Sequence, residues 1–149
     1  MEVTELTKMI KNDYPRVWEE MKNSLAFYQT TKNNEDEIYE KLDGINLRFD
    51  VNGTIDIDIE IGEYYHFTTI IFPMLYGLLE DFFEENGIFI SLKLCWNFDN
   101  KSRWEMFLTN KDSEFLLIDG INAGGNYLLK QEAKQQAILK ACEILEKRL

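Results

Sequence analysis

The sequence predicts an α+β fold in which a single, mainly antiparallel sheet, made of a hairpin plus a three-stranded meander, is packed by N-terminal, central and C-terminal helices. Apolar residues recur about every 3.6 positions in separated segments near the start, middle and end of the chain, the mark of helices with one buried face. Between those segments the apolar period drops to two, as in half-buried strands. No internal repeat and no Pro- or Ser-rich linker divides the chain, so residues 1–149 are expected to form one acidic domain.

The N-terminal stripe consists of Leu6, Ile10, Tyr14, Val17, Met21, Leu25 and Tyr28, widened by Trp18. Pro15 lacks the N–H that would bond to Lys11, which predicts two helices sharing a face, with Asp13 capping the second. Thr30 to Asn34 reads as a linker. Asn34 and Glu37 have capping-box spacing, and Ile38 and Leu42 follow one turn apart before Gly44 closes a short helix.

From Ile45 the pattern alternates. Ile45, Leu47 and Phe49 precede Asn52-Gly53, a signal for a tight primed turn, and Ile55, Ile57, Ile59 and Ile61 then alternate with Asp56, Asp58 and Glu60. Gly62 is expected to end or bulge the second strand, and Tyr64 to Ile71 reads either as a further strand or as a buried approach to the next helix.

Pro73 suits a first helical turn; Leu75, Leu78, Leu79, Phe82 and Phe83 line one face, and Asn86-Gly87 supplies a stop. The meander is predicted over Ile88 to Trp96, Trp104 to Leu108 and Phe115 to Ile118, with a loop from Phe98 to Ser102, a tight turn from Asn110 to Ser113 and a glycine-bearing loop from Asp119 to Asn126. Leu129, Ala133, Ala137, Ala141, Leu145 and Leu149, with Ile138 and Ile144, predict a closing helix whose alanines allow close approach to a sheet.

The run LLEDFFEENGIFISL, the Trp-bearing hairpin and QAILKACEIL resemble a small phage-encoded domain family of αβα type and unassigned function, over residues 73–149. The resemblance implies a phage or prophage context and brings no active-site residues.

Composition narrows the function classes. At 149 residues, 45% hydrophobic and 13% aromatic, the chain has material for a full core. Its longest apolar stretch, Phe67 to Leu79, is too short and broken to span a membrane, and no secretory leader is visible, so a cytoplasmic location is expected. Cys95 and Cys142 lack metal-knuckle or redox-pair spacing and read as buried free thiols; neither a metal nor another cofactor is expected. With 16 basic against 27 acidic residues the net charge is −11, which argues against direct nucleic-acid or membrane binding and for a protein partner with a basic surface. The identity of that partner and the oligomeric state are left open.

The charge is concentrated. Residues 35–63 hold ten acids against Lys41 and Arg48, a net −8 of the −11. Asp56, Asp58, Glu60 and Glu63, with Tyr64 and Tyr65 as apolar anchors, therefore form the candidate binding surface. Gly124, Gly125 and Asn126 form a candidate anion-cradling loop if they open the last helix, with Asn122 or Asn126 as a plain helix cap the competing reading. No residue is assigned a catalytic role: His66 has no nucleophile placed beside it by any motif. The expected function is an acidic protein-binding module, a phage or prophage modulator that occupies a basic surface of a host protein. Two alternatives stay open: a metal-dependent hydrolase using the Asp56, Asp58 and Glu60 carboxylates, and a structural, self-assembling phage component.

Overall fold

A computed structural model describes residues 1–25, 46–61, 64–96, 101–118, 121–122 and 125–149. The expected linker and short helix between Thr30 and Gly44, the Gly62 bulge, and residues 98–100 of the expected 98–102 loop lie outside the described residues. The fold is α+β, but the expected single sheet is not formed. Two separate three-stranded antiparallel sheets take its place, with four helices among the described residues. The chain divides into two compact units, Met1–Met74 and Leu75–Leu149.

In the first unit, helices α1 (Val3–Asp13) and α2 (Pro15–Leu25) share the predicted face: Leu6, Ile10, Val17, Trp18 and Met21 are buried. The break falls at Tyr14, whose backbone (φ −131°, ψ 63°) leaves the helical region as the residue before a proline is forced to do. Asp13 thus ends α1, and the Trp18 N–H bonds to the Tyr14 carbonyl at 2.9 Å in the first turn of α2.

Strands β1 (Asn46–Phe49), β2 (Ile55–Ile61) and β3 (Tyr64–Thr69) form the first sheet in that order, with Phe49 opposite Ile55 and Ile61 opposite Tyr64. Tyr64 onward is therefore a strand. The hairpin turn differs from the primed type, since Asn52 keeps a negative φ and only Gly53 (φ +87°) is left-handed. The loop has three residues, Val51 to Gly53, closed by Asp50 N–H to Thr54 C=O (2.8 Å) and Gly53 N–H to Asp50 C=O (3.0 Å). The Asp50 carboxylate also accepts the Asn52 N–H at 2.7 Å. Gly53 is buried against Lys8 and Lys11 of α1, Lys11 Nζ donates to the Val51 carbonyl, and Trp18 meets Phe49 edge-on at 5.1 Å.

Helix α3 (Phe72–Glu85) starts one residue before Pro73 and buries Leu75, Leu79, Phe82 and Phe83; the unit boundary falls within it. It ends in a Schellman arrangement, with Ile88 N–H on Phe83 C=O (2.8 Å), Gly87 N–H on Glu84 C=O (3.0 Å) and Gly87 at φ +78°.

The second sheet is ordered β4 (Phe89–Trp96), β5 (Ser102–Thr109), β8 (Gly125–Tyr127). Its third strand is thus not the expected Phe115–Ile118 segment. Leu117–Ile118 (β6) instead pairs with Ile121–Asn122 (β7) as a two-stranded ribbon, while Phe115 makes a single bridge to Thr109. Alternation shows which residues share a face; it carries no information on which strand pairs with which, and both departures arise there. Helix α4 (Lys130–Arg148) packs on β5, β4, β6 and β8, with Ala133, Ala137 and Ala141 fully buried; Leu129 and Leu149, at the ends of the predicted stripe, are exposed.

Candidate functional site

The acidic strand does not present a uniform row. Asp56 lies opposite Arg48 on β1 and Thr69 on β3, whose hydroxyl is 3.5 Å from its carboxylate, and it is half-buried. Asp58, between Asn46 and Phe67, is 1% exposed although neighbouring Ile57, of opposite side-chain phase, is also buried. Both faces of the sheet are therefore covered at this point, and Asp58 does not offer its carboxylate to solvent. Glu60 pairs with Tyr65 and Ile61 with Tyr64, so the two tyrosines occupy different registers, one matching the acids and one the isoleucines. His66 pairs with Ile59. Glu63 lies outside the described residues, among which no three His, Cys, Asp or Glu side chains converge as a metal site.

The glycine loop is not the entrance to the last helix. Gly125 and Asn126 are strand residues of β8, opposite Met106 and Glu105, while α4 starts at Lys130 with Leu129 as its N-cap. Neither Asn122 nor Asn126 caps it. Gly124 lies outside the described residues. Of the two cysteines, Cys142 is buried and Cys95 is only half-buried.

A concave site that the sequence reading missed lies within the second unit. A cavity of about 290 Å³ has Ile90 and Leu92 of β4 and Trp104 of β5 in its wall. Tyr76 and Glu80 of α3, and Lys130 and Lys134 of α4, complete it. Each helix contributes an i, i+4 pair, the spacing that puts two side chains on one face. Lys130 Nζ sits 4.9 Å from the Trp104 ring centroid and Lys134 Nζ 4.6 Å from that of Tyr76, both within cation–π range. Burial, then the charge of Glu80 and the hydrogen bond its carboxylate accepts from the Tyr76 hydroxyl, push that hydroxyl far above its ordinary range. The signal available in sequence was the pair of i, i+4 spacings. That the two pairs face one cavity depends on how α3 and α4 lie along the sheet.

Among the described residues no helix is long and apolar enough to cross a membrane. Compared with protein-family models, curated proteins and solved structures, the chain has no match.

Proposed function

We propose that the protein is an acidic protein-binding module, a phage or prophage modulator that occupies a basic surface of a host protein. The observation that carries this reading is the charge distribution: residues 35–63 hold −8 of the chain's −11. So uneven a charge produces a directed negative potential, which speeds encounter with a cationic cleft and weakens as salt screens it. With Asp58 buried, the strand acids Asp56 and Glu60 lie four residues, about 13–14 Å, apart, so competition with a polyanion for such a cleft rests on the summed charge of residues 35–63 and not on a regular row. Half-exposed Asp56, together with Glu60 and Glu63, belongs to the contacting set, whereas buried Asp58 is left out of it. Tyr64 and Tyr65 are the candidate anchors that give selectivity beyond charge.

The test is affinity capture from host lysate at about 50 and 300 mM salt, with the wild type and an Asp56→Asn, Glu60→Gln, Glu63→Gln variant that keeps Asp58 and the wild-type melting temperature. A basic partner retained at low salt by the wild type and lost by the variant is the expected result. Identical, salt-insensitive partner lists for the two proteins would refute the acidic-surface mechanism.

A further inference from the structure

We propose that the cavity between α3, α4 and the second sheet is a binding site for a small aromatic carboxylate. This inference is independent of the acidic-surface reading, because it uses none of the same residues.

Size sets the first limit. At about 290 Å³ the cavity is at the lower end of small-molecule sites, enough for a one- or two-ring compound and too small for a nucleotide. The walls set the second. Ile90 and Leu92 contribute apolar atoms, and the rings of Trp104 and Tyr76, each now under a lysine ammonium, offer a face for a planar ring to stack on once those lysines swing away. Trp104, Met106 and Leu108 share one phase of β5, and the latter two are fully buried, so the cavity, open to solvent on its lysine side, borders the core at its Trp104 wall.

Charge decides the ligand's polar group. In a chain of net −11, the cavity is lined by two ammonium groups and one carboxylate, a local reversal of sign. The Glu80 carboxylate already accepts a hydrogen bond from Tyr76, and each lysine is held over a ring. A cation–π contact at a solvated site is a weak interaction. An ammonium that exchanges a ring face for a ligand carboxylate gains a charge-assisted hydrogen bond, which is the stronger interaction. A monoanionic ligand would thus place its ring between Trp104 and Tyr76 and its carboxylate between Lys130 and Lys134. A cationic ligand would meet two like charges, and a neutral one would leave both lysines where they are.

The experiment is calorimetric titration of the full chain with 2-naphthoate and with 2-naphthamide, the neutral compound of nearly the same shape. The expected result is saturable binding of the acid, with the amide weaker by about tenfold or more. A Lys130→Met, Lys134→Met variant with a wild-type melting temperature should lose about tenfold or more for the acid and little for the amide. The Trp104 indole NMR signal, assigned through Trp104→Phe, should shift on titration of the wild type. The proposal is overturned if the wild type shows no binding of the acid at millimolar concentration, if acid and amide bind equally, or if the lysine variant binds the acid as the wild type does. The acid–amide comparison needs no variant, so a folding defect in the lysine variant leaves the question decidable.

Discussion

Gly53 and Ser113 occupy the same position in two loops of one design, both with positive φ, +87° and +62° respectively. In each loop an Asx side chain, Asp50 or Asn110, accepts the N–H two residues on. The fourth residue donates its N–H to the carbonyl of the first, at 3.0 and 3.1 Å, and the first donates to the carbonyl of the fifth, at 2.8 and 2.9 Å. Only the first loop has a glycine where the backbone is left-handed.

Ser113→Gly should therefore stabilise the protein. The left-handed conformation costs an L-residue about 1–2 kcal/mol, against about 0.5–1 kcal/mol of extra unfolded-state entropy for glycine, a net gain of up to about 1.5 kcal/mol. Denaturant unfolding should show a higher midpoint with an unchanged slope; a lower midpoint would contradict the strain argument.

Gly53→Ala acts in the opposite direction and with greater effect. The new Cβ would meet Lys8 Cγ at 3.2 Å and Lys11 Cδ at 3.3 Å, with the Lys8 backbone at 3.3 Å, on top of the φ strain. A loss of about 2 kcal/mol is expected in the same unfolding measurement.

Gly87→Ala tests the end of α3. Its space is open, with the nearest atom, on Arg148, 4.0 Å away, so the cost should be strain alone, about 1 kcal/mol. A loss equal to or larger than that of Gly53→Ala would show that the distinction between strain and crowding is misplaced.

Stability should decline in alkali. Burial raises the Tyr76 hydroxyl most, with Glu80 adding to it, and Tyr127 moves the same way through burial and Glu132. Unfolded tyrosines lose their protons near pH 10 while these two keep theirs, so above that pH the unfolded chain binds fewer protons and is favoured. Their contribution is complete below about pH 9 and is lost progressively above about pH 10. The melting temperature should hold between about pH 7 and 8, begin to fall above about pH 8.5 as the unfolded chain's Cys142 thiol ionises, and fall further above about pH 10, less steeply there in Tyr76→Phe. An equal slope in that variant would remove Tyr76 from the account.

The thiols should separate by reactivity. Burial, with Glu146 adding to it, pushes Cys142 upward, and no surface reaches it; Cys95 is also raised, by burial and then by Glu105, but is half-accessible. A disulfide reagent at about pH 8 should modify Cys95 alone, more slowly than a small free thiol, and Cys142 only after unfolding. Modification of both in the native protein would contradict the packing of α4.

What was legible in the sequence was local. The break at Pro15, the stripe on α3, the Gly87 stop and the buried alanines of α4 each follow from spacing and from one special residue, and the structure has all of them. Pairing was not legible. Phe115–Ile118 is an unbroken apolar run that reads as a strand, yet Gly125–Tyr127, with only one large apolar side chain, holds the third place beside β5. Asp58 misled for a related reason: its phase along β2 marks it as outward-facing, and only tertiary cover buries it. The cavity was invisible on the same grounds, since Tyr76, Trp104 and Lys134 are distant in sequence and meet only through the packing of two helices on a sheet.

The cover that α4 gives the second sheet also has a kinetic side. The β4–β5 ribbon can zip locally, through pairs such as Leu92 with Met106, but α4 is synthesised after every strand it packs against. At elongation rates of roughly 5–20 residues per second, the buried faces of Met106 and Leu108 stay uncovered for several seconds while the chain that will shield them is still being made. Nascent chains arrested between β8 and α4 should be the species most prone to associate and the first to need a chaperone.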